Sequence, residues 1–192
     1  MRDKGITPNT ASYNGCINAC GKRNDWEQAL KLLKSMQREG ISPDTLSYNI
    51  CINTCGKSSQ PAKALMLLEE MTANGVVANV ITYTSVISAY GKFGDWKMAV
   101  RLLTKMEEMG VTPSTYAYSA CISACEAGGK WKKALALLEE METKGVRPNT
   151  VTYSACITAC NKHGKWEKAL ELLDKMKTKG IAANTITYTA CI

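Results

Sequence analysis

The sequence predicts an all-α protein, a right-handed α-solenoid of stacked 35-residue helix-turn-helix repeats, and three observations predict it. Glycines recur at Gly5, Gly40, Gly75, Gly110, Gly145 and Gly180, a constant step of 35 residues. Tyr13, Tyr48, Tyr83, Tyr118, Tyr153 and Tyr188 keep that step without insertions, as do Ala29, Ala64, Ala99, Ala134 and Ala169 and the methionines from Met36 to Met176. Inside each step two apolar stripes fall at i, i+3, i+4 and i+7, the period of a helix with one buried face. The array divides as residues 1–9, the end of a preceding repeat; full repeats at 10–44, 45–79, 80–114, 115–149 and 150–184; and 185–192, the start of another.

The first helix of the first repeat is expected over residues 12–22, with Tyr13, Cys16, Ile17 and Cys20 as its apolar stripe. A short polar break follows, K-R-N-D here, K-F-G-D in the third repeat and K-H-G-K in the fifth. Asp25 with Gln28 forms a capping-box pattern opening the second helix. In the second repeat Pro61 takes the first helical position, where a missing N–H costs nothing. The second helix is expected over 26–39, with Trp26, Ala29, Leu30, Leu32, Leu33 and Met36 apolar and Gly40 as its left-handed stop. Pro43, and likewise Pro8, Pro113 and Pro148, blocks re-entry, whereas Ala78 and Ala183 stand there in the second and fifth repeats. One such helix pair cannot bury both stripes, but stacked neighbours can, which gives a continuous core and a superhelical groove. With neither end carrying a polar capping helix, the chain is expected to be part of a longer array.

With 45% hydrophobic and 21% charged residues the chain can build a sizeable core, and no run of 18 apolar residues suggests a membrane span. The first residues, M-R-D-K-G-I-T-P-N-T, resemble neither a secretory signal nor a transit peptide, so any targeting segment is expected elsewhere. A net charge of +7, from 24 basic and 17 acidic residues, suits a polyanionic partner without requiring one.

Cysteines pair at i, i+4 as Cys16/Cys20, Cys51/Cys55, Cys121/Cys125 and Cys156/Cys160. Val86 and Tyr90 fill the same slots in the third repeat, so the slots ask for apolar volume, not for sulfur or a metal. Free buried thiols fit a reducing compartment. His163, the only histidine, lies in a loop with no ligand or triad spacing around it, and it is expected to be solvent-exposed. Carboxylates such as Glu69, Glu70, Glu139 and Glu140 alternate with lysines on the second helices, as on a solvated outer face. Trp26, Trp96, Trp131 and Trp166 open the second helices on the apolar side, where core packing is expected. No phosphate loop, nucleophile motif or metal motif is present, so neither catalysis nor a cofactor is expected.

A second stripe on the first helices is small and uncharged: Asn14-Asn18-Lys22, Asn49-Asn53-Lys57, Thr84-Ser88-Lys92, Ser119-Ser123-Ala127 and Ser154-Thr158-Lys162. Short amides and hydroxyls are poor helix formers, and solvated faces usually carry long charged residues. A line of donors and acceptors edged by lysine suits a single strand of nucleic acid; a groove for an extended peptide is the alternative.

A two-helix unit with T-Y-S/N/T opening the first helix, A-L-x-L-L-x-x-M in the second and G-V/I-x-P-N/D at its end resembles the pentatricopeptide repeat. The resemblance implies sequence-selective binding of single-stranded RNA, one base per repeat. It implies that the base is chosen by the residue after the repeated tyrosine with the last residue of the unit. Those pairs are Asn14 with Asp44, Asn49 with Asn79, Thr84 with Ser114, Ser119 with Asn149, and Ser154 with Asn184. The first resembles a uracil reader, the second a cytosine reader and the last two adenine readers. Thr84 with Ser114 departs from the common pairs and leans to a purine, so the implied strand is U-C-R-A-A, 5′ to 3′ along the chain. The implied base-stacking side chains are Ala11, Leu46, Ile81, Tyr116 and Val151, Ala11 being small for the role. The implied phosphate contacts are Lys22, Lys57, Lys92 and Lys162, with Ala127 lacking one. Such proteins generally act in mitochondria or chloroplasts on transcript processing, stability, editing or translation. A structural or protein-binding module of a larger complex, such as an organellar ribosome, is the alternative.

Overall fold

A computed structural model describes residues 8–190. Residues 1–7, including Gly5, and residues 191–192 of the expected flanking partial repeats lie outside the described residues. Every regular element described is a helix: α1 (Thr10–Lys22), α2 (Trp26–Arg38), α3 (Thr45–Lys57), α4 (Pro61–Ala73), α5 (Val80–Phe93), α6 (Trp96–Glu108), α7 (Thr115–Ala127), α8 (Trp131–Thr143), α9 (Thr150–Asn161), α10 (Trp166–Thr178) and α11 (Thr185–Thr189). No described helix is long and apolar enough to cross a membrane.

The first helices begin two residues earlier than the apolar stripe suggests, because the residue ahead of each is a good N-cap. Asn9 accepts the Ser12 N–H, Asp44 that of Ser47, Ser114 that of Ala117 and Asn149 that of Thr152. Asp25 caps α2 through the Gln28 N–H at 3.0 Å, the forward half of the expected capping box. Gly40 ends α2 at φ 73°, with its own N–H on the Gln37 carbonyl and the Ile41 N–H on Met36. These are the paired bonds of a Schellman stop, which a left-handed residue makes possible.

The chain forms two compact units, Met1–Ala89 and Tyr90–Ile192. In the first, α1 packs on α2 and α3, α2 on α3, and α3 on α4. In the second, α7 packs on α6, α8 and α9, and α9 on α8, α10 and α11. The apolar stripes meet in these seams: Tyr48, Cys51, Ile52, Cys55, Ala64 and Met71 in the first unit are fully buried, as are Tyr118, Cys121, Ile122, Ala134 and Met141 in the second. Each such leucine, isoleucine or methionine contributes roughly 1.5–3 kcal/mol through burial. A side chain at Gly21 would lie 2.9 Å from Thr54 Oγ1, and one at Gly91 3.0 Å from the Ala120 carbonyl, so glycine sets how closely successive first helices approach.

The cysteine slots are packing positions. Cys51, Cys55, Cys121, Cys125, Cys156 and Cys160 are buried, while Cys16 is exposed. The Cys121 thiol points at the Ala99 carbonyl, 3.3 Å away. Burial pushes the Cys51 thiol up to about 12 and that of Cys55 to about 11, which leaves both unreactive at neutral pH.

Two expectations need correction. The tryptophans are not core residues: Trp26, Trp96 and Trp131 are half-buried and Trp166 is exposed. Lys130 sits over the Trp96 ring and Lys165 over Trp131, 5.8 Å from each centroid, so these rings hold lysines of the following break. Nor is the acidic face purely solvated. Glu69 and Glu139 are exposed, but Glu70 accepts the Tyr48 hydroxyl at 3.2 Å, and the Tyr118 hydroxyl lies 3.1 Å from Glu140 and 3.2 Å from Glu107. The tyrosine rings are buried by the stripe, and their hydroxyls must find an acceptor at its edge.

Candidate nucleic-acid interface

The residues singled out on the first helices fall into three sets, which the helix geometry separates. The first set follows the tyrosines. Because it neighbours the buried stripe, it is drawn into the seam with the next first helix. Asn14, Ser119 and Ser154 are only 5–8% exposed, and Asn49 is half-buried. The polar stripe is therefore less open than its composition suggests. Part of the reason for short polar residues here is hydrogen bonding across the seam.

That bonding repeats. Ser47 Oγ donates to Asn14 Oδ1 at 2.6 Å, and Thr82 Oγ1 donates to Asn49 Oδ1 at 2.6 Å. Ser119 Oγ and Thr152 Oγ1 are 2.7 Å apart, as are Ser154 Oγ and Thr187 Oγ1. Each hydroxyl belongs to the third residue of the following first helix, and each also touches that helix's N-cap. The N-caps are the second members of the pairs. Asp44 accepts the Ser47 N–H at 2.8 Å, Asn79 the Thr82 N–H at 3.1 Å, Asn149 the Thr152 N–H at 3.0 Å and Asn184 the Thr187 N–H at 2.9 Å.

Two pairs also touch directly. Asn14 Nδ2 donates to the Asp44 carboxylate at 3.2 Å, and Asn49 Nδ2 reaches Asn79 Oδ1 at 3.5 Å. Burial raises the Asp44 pKa, but hydrogen bonds from the Ser47 amide and hydroxyl, Asn14 and the Leu46 amide outweigh it. The carboxyl lies below its ordinary value and is an acceptor only at neutral pH. Thr84 and Ser114 depart from the pattern. Thr84, in the first unit, has a buried Oγ1 with no hydrogen-bond partner among the described residues. Ser114, in the second, caps α7 through the Ala117 N–H at 3.3 Å.

The second set opens each first helix and points away from the core. Leu46, Ile81, Tyr116 and Val151 are between 55% and 74% exposed, and Ala11 is exposed as well. Single exposed apolar side chains are common on protein surfaces; what sets these four apart is that they recur at one register. The third set closes the helices: Lys22, Lys57, Lys92 and Lys162 are all exposed. Lys162 already pairs with Glu126 at 2.6 Å, while Lys22, Lys57 and Lys92 make no ion pair among the described residues.

In the first unit the three sets converge. One open cleft is lined by Ala11, Asn14, Asn18, Asp44, Leu46 and Ile50 among others. A second contains Lys22, Asn49, Asn53, Lys57 and Ile81, and shares Asn18 and Ile50 with the first. Nothing in the spacing of the polar stripe points to Ser47, Thr82, Thr152 and Thr187. The available signal was the hydroxyl residue ahead of each repeated tyrosine, absent only at Ala117. No described group of three or more His, Cys, Asp or Glu residues could hold a metal, and His163 is exposed with Nδ1 on the Ala159 carbonyl at 2.9 Å.

Helix pairs of constant length, with a recurring polar seam and an apolar residue ahead of it, define a helical-repeat protein of the all-α class. Residues 1–188 match the family model for the pentacotripeptide-repeat region of PRORP, and the chain belongs to the pentatricopeptide-repeat family. It is similar to the pentatricopeptide repeat protein PPR10 from maize, at 30% identity over 99% of this chain and 27% of that one, with a TM-score of 0.75. PPR10 in complex with an 18-nt psaJ RNA element matches at 26% identity and a TM-score of 0.79, over 98% of this chain and 28% of that one. The PPR domain of Arabidopsis thaliana protein-only RNase P 1, in complex with tRNA, shares the fold: 19% identity, 94% and 95% coverage, TM-score 0.81. The chain thus spans about a quarter of the PPR10 chains it matches. No curated protein matches it.

Proposed function

We propose that this chain binds single-stranded RNA sequence-selectively, one base per repeat, and carries no catalytic activity of its own. The observation that carries the reading is the meeting, in the first unit, of paired polar side chains, exposed apolar wedges and unpaired lysines on two abutting clefts. Bases have a π-face for the wedge and an edge for the pair, and phosphates call for the lysines. The RNA complex of PPR10, a family member 26% identical to this chain, supports the same assignment.

Hydrogen-bond supply gives the base choice a physical basis. In the first pair Asn14 Oδ1 is satisfied by Ser47, and the Asp44 carboxylate keeps acceptor capacity on Oδ2, whose one contact is the 3.4 Å approach of Asn14 Nδ2. An acceptor there suits the N3–H of uracil. In the second pair Asn79 Oδ1 is used by the Thr82 N–H, which leaves its amide NH₂ as a donor for N3 of cytosine. In the fourth and fifth pairs the first residue is serine, shorter than asparagine, and Asn149 and Asn184 have Oδ1 on their N-cap bonds, which leaves the NH₂ as the donor assigned to adenine. With Thr84 and Ser114 leaning to a purine, the proposed target is U-C-R-A-A, 5′ to 3′ along the chain. The family setting suggests a role in mitochondrial or chloroplast RNA processing, stability or translation.

Selection of a randomised RNA pool on the purified chain, with single-stranded DNA as competitor, tests this. Enrichment of U-C-R-A-A is expected. Binding that is salt-insensitive, or that enriches no sequence, would favour the structural or protein-binding alternative.

A further inference from the structure

Ser47, Thr82, Thr152 and Thr187 occupy one register position, and each is fully buried. Each sits between the two members of a pair, with its Oγ bonded to one residue of the preceding first helix and to the N-cap of its own. A hydroxyl has a single proton to give. Thr82 Oγ1 accepts the Asn79 N–H at 3.1 Å, and its shortest contact is the 2.6 Å approach to Asn49 Oδ1. A second amide oxygen, Asn79 Oδ1, lies 3.0 Å away but already accepts the Thr82 N–H at 3.1 Å, so the proton goes to the closer Asn49 Oδ1, which can only accept. The Asn49 amide is then held with its oxygen towards the seam and its NH₂ towards Asn79 and the cleft. Ser47 holds Asn14 the same way: its hydroxyl donates to Oδ1, and the acceptor-only Asp44 carboxylate takes Nδ2.

We propose that two of these hydroxyls, Ser47 and Thr82, are specificity-determining positioning residues, which fix the edge that Asn14 and Asn49 turn to a base. The proposal rests on the RNA-reading function above. Without the hydroxyl an asparagine amide is free to flip about its last torsion, exchanging donor for acceptor at nearly constant shape. Base discrimination suffers from that exchange far more than affinity does. At the same register in the fourth repeat, the one that follows the third pair, stands Ala117, which has no hydroxyl to give.

The experiment uses the full 192-residue chain and two sets of four RNAs, U-N-A-A-A and N-C-A-A-A with each base at N, compared for wild type, Thr82→Val, Thr82→Ser and Asn49→Thr. Valine keeps the shape of threonine and removes the hydroxyl. Wild type is expected to prefer cytosine, and Thr82→Val to lose roughly three- to tenfold of that preference, the worth of one hydrogen bond. Thr82→Ser should retain it, and the choice at the first base, set by Asn14, should be unmoved in all variants. A uniform loss of affinity with the cytosine preference intact would reduce Thr82 to a helix cap and overturn the proposal. If Asn49→Thr redirects the preference but Thr82→Val leaves it unchanged, the positioning role fails and the reading of bases stands. A wild type indifferent to all four bases overturns both. Circular dichroism reports the fold, and should Thr82→Val melt below assay temperature, Ser47→Ala with the first base varied decides in the same way, since Ser47 holds the Asn14 amide.

Discussion

Asn14 is linked to Ser47 by a 2.6 Å hydrogen bond that crosses the seam between α1 and α3. The bond joins a residue of one repeat to the third helical residue of the next, 33 positions on. Ser47 is itself fixed by Asp44, the N-cap of α3. The geometry that starts one helix therefore orients a side chain of the helix before it. Neighbouring repeats share the polar sites at Asn14, Asn49, Ser119 and Ser154.

The first prediction concerns that shared site. Asn14→Thr removes the amide that donates to Asp44 and leaves a shorter side chain beside the same carboxylate. Preference at the first base should move from pyrimidine towards purine, with the other positions unchanged. A gel-shift panel of four RNAs differing at that base checks it. An unchanged ranking of the four would count against the pairing scheme.

The repeat was legible because packing imposes period and composition together: a fixed glycine stop, a fixed tyrosine, apolar slots that accept Cys51 or Val86 equally. Exposure of Leu46, Ile81, Tyr116 and Val151 followed from the family resemblance, since helical spacing alone does not separate a wedge from a core residue. The depth of Asn14 and Ser119 was not legible. It depends on how closely successive first helices approach, and that is set by contacts such as Gly21 against Thr54, which no single stripe displays. The tyrosine bonds of Glu70 and Glu140 are hidden in the sequence for a similar reason. Their partners are tyrosines 22 residues away, outside any helical window.

Salt should report the lysines. Four phosphate contacts would give a slope of log K against log salt of about −3, at ~0.7 per contact on single strands. Lys162 must first leave Glu126, with which it pairs at 2.6 Å, so the slope should lie nearer −2. Lys57→Ala should lower its magnitude by about 0.7 and weaken all sequences alike. Binding titrations between 50 and 300 mM salt, as order-of-magnitude bounds, measure it. A base-dependent effect of Lys57→Ala would contradict a phosphate role.

Acid should loosen the second unit at Glu142. Burial raises its pKa, but hydrogen bonds from Lys175 and Lys179, both at 2.7 Å, and from the Tyr153 hydroxyl at 3.0 Å hold it below the ordinary value of 4.5. A carboxyl depressed in the folded state stabilises fully above its unfolded pKa, and that contribution is lost as pH falls through the folded value. Stability should thus be flat near neutrality and fall below about pH 4.5. Glu142→Gln should cost about 1 kcal/mol at pH 7, the lysines being partly exposed and screened, and should make the acid limb shallower. Melting temperatures of the two proteins from pH 3 to 8 (approximate limits) test both the size and the sign.

Backbone strain offers a stabilising change. Asn24 and Ser59 have φ of 55° and 56°, at the register where Gly94, Gly129 and Gly164 stand in later repeats. Asparagine tolerates that conformation, but serine pays a steric penalty that glycine does not. Ser59→Gly should stabilise the chain by roughly 0.5–1 kcal/mol. The Ser58 hydroxyl bond to the Asn24 carbonyl, at 2.9 Å, is untouched by the change. Chemical denaturation with an unchanged m-value and a higher midpoint would bear this out, and a lower midpoint would show the glycine's unfolded-state entropy to dominate.

Ala11 is the exception among the wedges, and it isolates what a wedge contributes. It lines the same cleft as Asn14, Asp44 and Leu46, with only a methyl group where later repeats carry leucine, isoleucine, tyrosine or valine. It is exposed, at the second position of α1, so a larger side chain meets no packed neighbour and should not disturb the fold. Ala11→Val should tighten binding of every RNA by a similar factor, because apolar contact with a base face is indifferent to the base. Leu46→Ala should do the reverse, by roughly 1 kcal/mol or more, about fivefold in affinity. The pair of variants separates stacking from edge reading. Both should shift affinity while the ranking of the four bases at the first and second positions stays fixed. If Ala11→Val instead changes that ranking, the side chain touches the base edge, and the division of labour between wedge and polar pair is wrong.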